Sequence, residues 1–498
     1  MSPQPSTFQL TTRQGLVFAA LAWAAFGFVH MLPRLLPSSL MGAADGLSMV
    51  AAQQLQLAYQ VGQPPLYDWA VWAVQQVTGP TALGIYLPKY LFCLAAGIYA
   101  YLGAVAIGAV AIQAVVASVA LMLLFNVGMT IHDLSTHSVP MLAAIPATFY
   151  HFVRVVQTGR TLHYAALGLA IAVGTLSKYG FLIFPAALFI AASFDASARA
   201  RLVNARFLLT LLIPVVLVLP FASWVYANRD ALGARAARTL IAGESRSHLI
   251  RALDGLKDMA GSYLVYASPA VPILWAVWPR LLTLRSRADF GRTDLHALLW
   301  RTLAATALLM AAGIALAGLD TMRSRYMHAI AFMLPVGVVA LLVATDFTRR
   351  RVVIFLAIAA GLQIVTAVSR GIIPFAPVRP FCRSCEVIEP VALLADRLTA
   401  EGFAKARIHA GDHQLAGNLR RFLPEAQITT GLITVHHGPL GTRRCALVTE
   451  REPPAAEPGS GRTKRLDVDW PRGWLGPARQ TTWFVTEYEP TSPRCRSD

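Results

Sequence analysis

A chain of 498 residues that is 56% hydrophobic and 14% charged, with a mean hydropathy of +0.53, does not fit a soluble protein. Soluble domains carry about one quarter charged residues, and a single soluble core stops growing near about 250–300 residues, which leaves a polytopic α-helical membrane protein. The net charge of +17 would suit nucleic acid in a soluble chain, but the arginines fall in short links between apolar runs with no separate basic domain. Membrane lipids are therefore the expected surroundings, and nucleic acid is not an expected partner.

Apolar runs able to cross a bilayer lie near 15–36, 83–103, 105–126, 139–156, 163–179, 181–194, 206–226, 263–279, 300–318, 327–345 and 352–372, about eleven spans in all. The 181–194 run is short and joins its neighbour through Lys178-Tyr179-Gly180. The first run lacks a strongly basic flank and a cleavage site, so it is read as a retained span. With the N-terminus in the cytoplasm, Arg160, then Arg199, Arg201 and Arg206, then Arg280, Arg285, Arg287 and Arg292, then Arg349, Arg350 and Arg351 all face inward. That is the positive-inside pattern of a bacterial inner (plasma) membrane.

The first outward loop, 37–82, carries DGLSMVAAQQLQLAYQVGQPPLYDW, with one acid near its start, Asp45, opening a helical pattern and a rigid Gln63-Pro64-Pro65 turn behind it. The outward loop 227–262 holds Arg229, Arg235, Arg238, Arg246, Arg251 and Lys257. Within it, Leu249, Leu253, Leu256 and Ala260 recur at helical spacing and predict an amphipathic interfacial helix. Its cations read either as solvated charge or as a rim for an anionic headgroup.

Beyond 372 the character changes. ALLADRLTAEGF has a helical period, ARIHAG and RCALVTE read as short strands, and 452–465 reads as a loose loop. The expected organisation is a membrane domain over 1–372 and a small outward, periplasmic α/β domain over 373–498. Cys93 lies in an apolar run and reads as packing. Cys382, Cys385, Cys445 and Cys495 follow the last span and predict disulfides ahead of a zinc site, with the pairing open.

Few polar residues stand at the outer boundary in forms useful to chemistry: Asp45; His132, Asp133 and His137 within NVGMTIHDLSTHSVP; Lys89; Lys178; and Arg325. Ionisable groups beside apolar sequence are functional candidates by default. Each has a plain alternative: a helix N-cap for Asp45, caps of the next span for His132 and Asp133, snorkelling for the two lysines. No HExxH, GxSxG, P-loop or GxGxxG fingerprint is present in context, and a zinc site from His132 and His137 lacks a third ligand.

Asp45, then Ala58-Tyr59, Gln63-Pro64-Pro65-Leu66 and Trp69 resemble the first outward loop of the GT-C glycosyltransferases. More narrowly, they resemble the bacterial branch of the protein-mannosyltransferase-like family (glycosyltransferase family 39), which includes the aminoarabinose and galacturonic acid transferases of lipid A and core. His132-Asp133-Leu134-Ser135-Thr136-His137, Leu176-Ser177-Lys178-Tyr179-Gly180 and Arg325-Tyr326 are similar to later family motifs, and the resemblance covers roughly 15–372. The chain departs from the pattern with Gly46 at the usual second acid and Gln63 at the usual histidine.

The resemblance implies a GT-C fold and inverting transfer of a sugar from a polyprenyl-phosphate donor to a hydroxyl of a lipid, glycan or protein acceptor. In that scheme Asp45 is the general base, and Asp133 and His132 position the acceptor or support the base. Lys89, Lys178 and Arg325, with Tyr326, meet the donor phosphate, while Gln63, Tyr59, Tyr67 and His137 line the acceptor side. No cofactor is implied; a divalent metal is the less favoured variant, since Gly46 removes the second acid. Two other classes fit the same cationic rim. A lipid-linked sugar flippase is disfavoured because neither internal repeats nor mid-span acid pairs appear. A non-catalytic envelope scaffold is the other.

Overall fold

A computed structural model describes residues 9–36, 40–134, 136–241, 246–283, 294–372, 390–452 apart from 432, 434, 438 and 439, 460–470, 480–489, and positions 492 and 495. The helices in chain order are α1 (Thr12–Leu35), α2 (Ala43–Ala51), α3 (Leu66–Thr78), α4 (Ala82–Ala106), α5 (Ala111–Ala120), α6 (Ile131–Leu134), α7 (Ser138–Thr158), α8 (Thr161–Thr175), α9 (Ile183–Ser193) and α10 (Ala196–Leu202). They continue as α11 (Phe207–Ala227), α12 (Arg229–Leu240), α13 (His248–Ala267), α14 (Ala270–Val277), α15 (Asp294–Ala317), α16 (His328–Ala331), α17 (Leu334–Ala340), α18 (Arg349–Ile372), α19 (Val391–Ala400) and α20 (His413–Phe422).

Six helices among the described residues, α1, α4, α7, α11, most of α15, and α18, are long and apolar enough to cross a bilayer. Ala111–Leu123, Thr161–Thr175 and Tyr179–Ser193 are shorter apolar segments. Two expected spans take a different form. The 263–279 run is divided at Ser268-Pro269, so α13 begins far earlier, at His248, and α14 is short. The 327–345 run breaks into α16 and α17, with Pro335 at the start of α17, where its missing N–H costs no helical bond.

Local signals set the ends that matter. Thr11 caps α1 in a reciprocal box with Gln14. Thr81 caps α4 by accepting from the Gly84 N–H, and Gly79, at φ 69°, closes α3 just before it. That left-handed turn reverses the chain between α3 and α4. Pro65 stands at the N-cap of α3, so the rigid Gln63-Pro64-Pro65 turn delivers α3 directly.

The main core is one cluster running through α1, α4, α5, α7 and the broken α16–α17 segment, with Trp23, Tyr86, Tyr101 and Phe149 buried in it. In α13 the small residues Ala252 and Gly255 face inward, while Leu249 and Leu253 are 67% and 57% exposed. The apolar stripe read from the sequence thus points away from the protein, as an interfacial helix requires.

The C-terminal unit is a five-stranded sheet ordered β2-β1-β3-β5-β4: β1 (Arg407–Ala410), β2 (Gln427–Thr429), β3 (Cys445–Thr449), β4 (Ser460–Asp469) and β5 (Gln480–Tyr488). β1 lies parallel to β2 and β3, with Arg407 opposite Gln427 and Cys445, and the β3-β5-β4 half is antiparallel. The expected loose loop over 452–465 is corrected from Ser460 onward, where β4 pairs with β5. Cys445 and Cys495 form a disulfide, whereas Cys382 and Cys385 lie outside the described residues.

Candidate active site

Asp45 is the third residue of α2, in its first turn; Gly42 holds the N-cap position, so the carboxylate is not a cap. The Asp45 side chain is 1% exposed and Lys89, two turns into α4, is fully buried, with Lys89 Nζ donating to Asp45 Oδ1 at 2.7 Å. The other carboxylate oxygen, Oδ2, and the Ser48 hydroxyl one turn further along α2 are buried with no hydrogen-bond partner among the described residues. Tyr86, one turn before Lys89, lies close enough to interact with Asp45. Desolvating a carboxylate and an ammonium costs several kcal/mol per ion, which their attraction at best offsets, so a buried pair is weak evidence for stability. The pair leaves one carboxylate oxygen able to accept a proton or a hydrogen bond.

A second carboxylate escapes the sequence reading. Asp68, in the first turn of α3, is 2% exposed. Its Oδ2 lies 3.1 Å from His137 Nε2, and the Thr136 hydroxyl lies 2.8 Å from His137 Nδ1. Asp68 Oδ1 is buried with no hydrogen-bond partner among the described residues. The one available signal was an acid directly behind the Gln63-Pro64-Pro65 turn. Tyr67 joins the two halves: its hydroxyl donates to Ile85 O at 2.8 Å, and burial, with Asp45 and Asp68 nearby, holds its phenol well above the usual range.

Beyond His137, Lys178 Nζ donates to Ser138 Oγ at 2.9 Å. Arg325 is near enough for its charge to be felt at Lys178, and Lys178 in turn for its charge to be felt at His328. Arg325 lies in a tight 3-10 turn over 324–327, its guanidinium 5.4 Å from the Tyr326 ring centroid. His328 is fastened by Tyr266, at 2.9 Å from Nδ1, leaving Nε2 buried and unpartnered. Lys178, Arg325 and Tyr326 therefore lie in one neighbourhood, while Lys89 is committed to Asp45.

The remaining expected site residues divide. His137 takes part through Asp68. Gln63 has a buried Oε1 with no hydrogen-bond partner among the described residues, and Arg235 of α12 packs so closely on Gly62 that a Cβ there would be 2.1 Å from its Nε. His132 instead stacks on His30 with centroids 3.7 Å apart, its Nδ1 2.9 Å from the Tyr90 hydroxyl. Tyr59 braces its own loop, donating to Gln54 O at 2.7 Å while packing against the C-terminal unit. Asp133 lies in α6, and its side chain is outside the described residues. Among the described residues no group of three His, Cys, Asp or Glu could hold a metal ion.

The missing second acid has a steric cause. A Cβ on Gly46 would sit 2.7 Å from the His413 carbonyl oxygen, and one on Gly417 only 2.2 Å from Gly46 Cα. α20 of the C-terminal unit lies against α2 where a carboxylate at 46 would have to stand.

Residues 62–224 match a protein-family model described as dolichyl-phosphate-mannose-protein mannosyltransferase, a segment that opens at the Gln63-Pro64-Pro65 turn and includes Lys89, His137 and Lys178. The chain is 26% identical to lipopolysaccharide core galacturonosyltransferase RgtA of Rhizobium johnstonii, over 82% of this chain and 81% of that protein. It is 28% identical to RgtB of the same organism, over 87% and 86%. Among solved structures, ArnT from Cupriavidus metallidurans bound to undecaprenyl phosphate superposes with a TM-score of 0.57 at 12% identity, covering 98% of this chain and 100% of that one. The apo form of ArnT gives 0.56 at 11% identity, over 94% and 97%. The fold is thus ArnT-like.

Proposed function

Proceeding from a chain that is a GT-C family glycosyltransferase, we propose that it moves a sugar from a polyprenyl-phosphate donor to an acceptor hydroxyl at the periplasmic face of the inner membrane. The relatives' names favour a hexuronic acid as the sugar and the core of lipopolysaccharide as the acceptor. The observation that carries the proposal is Asp45: a buried carboxylate held through Oδ1 by Lys89, with Oδ2 unused.

In this mechanism Asp45 Oδ2 takes the proton of the acceptor hydroxyl as its oxygen attacks the anomeric carbon. The bond from that carbon to the phosphate oxygen breaks, the electron pair leaves with polyprenyl phosphate, and the configuration inverts. Lys178 and Arg325, with Tyr326 beside them, meet the charge that grows on the leaving phosphate; such fixed charges in a water-poor site are worth about 3–4 kcal/mol each. Lys89 is assigned to Asp45 rather than to the phosphate, keeping one oxygen occupied and the other aimed. Asp68, oriented by His137, is placed to accept hydrogen bonds from sugar or acceptor hydroxyls through Oδ1.

The test is transfer from a radiolabelled polyprenyl-phosphate sugar to lipopolysaccharide by the purified protein in lipid nanodiscs, with the anomeric configuration of the product read by NMR. An inverted glycoside is the expected product. In liposomes, movement of donor across the bilayer without transfer would instead support the flippase reading, and a retained configuration would overturn direct displacement.

A further inference from the structure

A nine-residue helix such as α2 is too short to hold its shape alone, and two side-chain amides fasten it at both ends to the C-terminal unit. Before its start, Asn418 of α20, fully buried, grips the peptide of Met41: its Oδ1 accepts from the Met41 N–H at 3.0 Å and its Nδ2 donates to Met41 O at 3.1 Å. Just after its end, Gln53 makes the reverse grip on the peptide of Ile428. Gln53 Nε2 donates to Ile428 O at 2.7 Å, and its Oε1 accepts from Ile428 N–H at 2.9 Å. Between the grips Gly46 and Gly417 bring the two helix backbones into contact.

A two-point amide grip fixes orientation as well as distance, because both bonds are met in only one arrangement. Two such grips with a glycine contact between them leave α2 little freedom to slide or roll. Asp45 projects from this helix toward Lys89 and Tyr86, while the next residue faces α20. The placement of Asp45 Oδ2 is therefore set from the C-terminal side of the molecule as well as by Lys89.

We propose that the C-terminal unit is a positioning element of the transfer site, with Asn418 and Gln53 as positioning residues that hold Asp45 at its working distance from the acceptor. This rests on Asp45 being the base. Neither amide touches substrate; each acts through α2.

The experiment measures kcat, donor KM and resistance to unfolding on the full chain in nanodiscs for Asn418→Ala, Gln53→Ala, their double variant, Asn418→Asp, Arg444→Ala and Asp45→Asn. Arg444 pairs with Glu487, donates to Glu401 O and lies over the Phe403 ring, all within the C-terminal unit, so it reports what loosening that unit does by itself. Misplacement of a reacting group by about 1 Å costs about 100-fold in rate. Asn418→Ala is therefore expected to lose about 10- to 100-fold in kcat with donor KM unchanged. The double variant should lose more, and Asn418→Asp, which keeps the acceptor oxygen, less. Arg444→Ala should unfold more easily yet keep its kcat. Wild-type kcat in the double variant overturns the proposal, as does a kcat loss that merely tracks unfolding along the same line as Arg444→Ala. If Asp45→Asn transfers at the wild-type rate, it is the base assignment that has failed, whatever the amide variants do.

Discussion

Replacing Lys89 with methionine removes the ammonium and keeps most of the volume, which isolates the charge. The structure encloses Asp45: its side chain is 1% exposed, its Oδ1 accepts from Lys89 at 2.7 Å, and its second oxygen is buried with no hydrogen-bond partner among the described residues. Breaking one half of a buried pair costs about 3–5 kcal/mol, because the remaining charge is stranded. Asp45 escapes that cost by taking a proton, and a protonated carboxyl cannot act as base. Lys89→Met should therefore lose both stability and transfer, the latter by about 100-fold or more. Adding Asp45→Asn should return stability to within about 1 kcal/mol of the wild type, since no buried charge then remains, without returning activity. Unfolding by titrated denaturing detergent, run beside the transfer assay on all four members of the cycle, measures the coupling. A Lys89→Met protein of wild-type stability and rate, or a double variant no more stable than the single one, would refute the reasoning.

Three further outcomes are expected. Gly46→Asp, which restores the acid the sequence pattern calls for, should reduce folded yield and transfer rather than improve them, since its Cβ would lie 2.7 Å from the His413 carbonyl oxygen; comparing yield and rate with wild type checks this. Asp68→Asn should lower transfer about tenfold or more while sparing the fold, because the amide still meets His137 but no longer presents a carboxylate; improved turnover would count against a role for Asp68. Burial, against a weaker pull from the Ile428 backbone, holds His437 down to about 4 from an ordinary 6.5. The unfolded chain thus binds that proton first, and stability should fall as pH drops through that window and be insensitive to this group above it. Unfolding midpoints across pH should show a shallower slope in His437→Gln.

What the sequence disclosed follows from how far each constraint reaches along the chain. The bilayer acts locally, so the long apolar helices and the arginine-bearing links are legible, and Asp45 is conspicuous as the acid that opens the first outward loop. The partners of that acid are not. Lys89 stands 44 residues away, and His137 stands 69 from Asp68. Neither spacing has a period that predicts contact. The sequence shows the charge of Lys89 but not its neighbour, so it points to a phosphate ligand where the structure has an ion pair with Asp45. His132 was visible in a motif, but its place in a stack with His30 depends on α1 packing beside α6. The cause of Gly46 lies furthest off, on α20. Asn418 acquires a role only through its meeting with Met41, 377 residues away in sequence.

The central claim is that Asp45 removes the acceptor's proton. The most direct measurement is single-turnover transfer by Asp45→Asn from labelled polyprenyl-phosphate sugar, with donor binding measured on the same preparation. Donor bound as in wild type, with transfer slowed about 1,000-fold or more, is the expected result. Transfer at the wild-type rate with donor bound would contradict it.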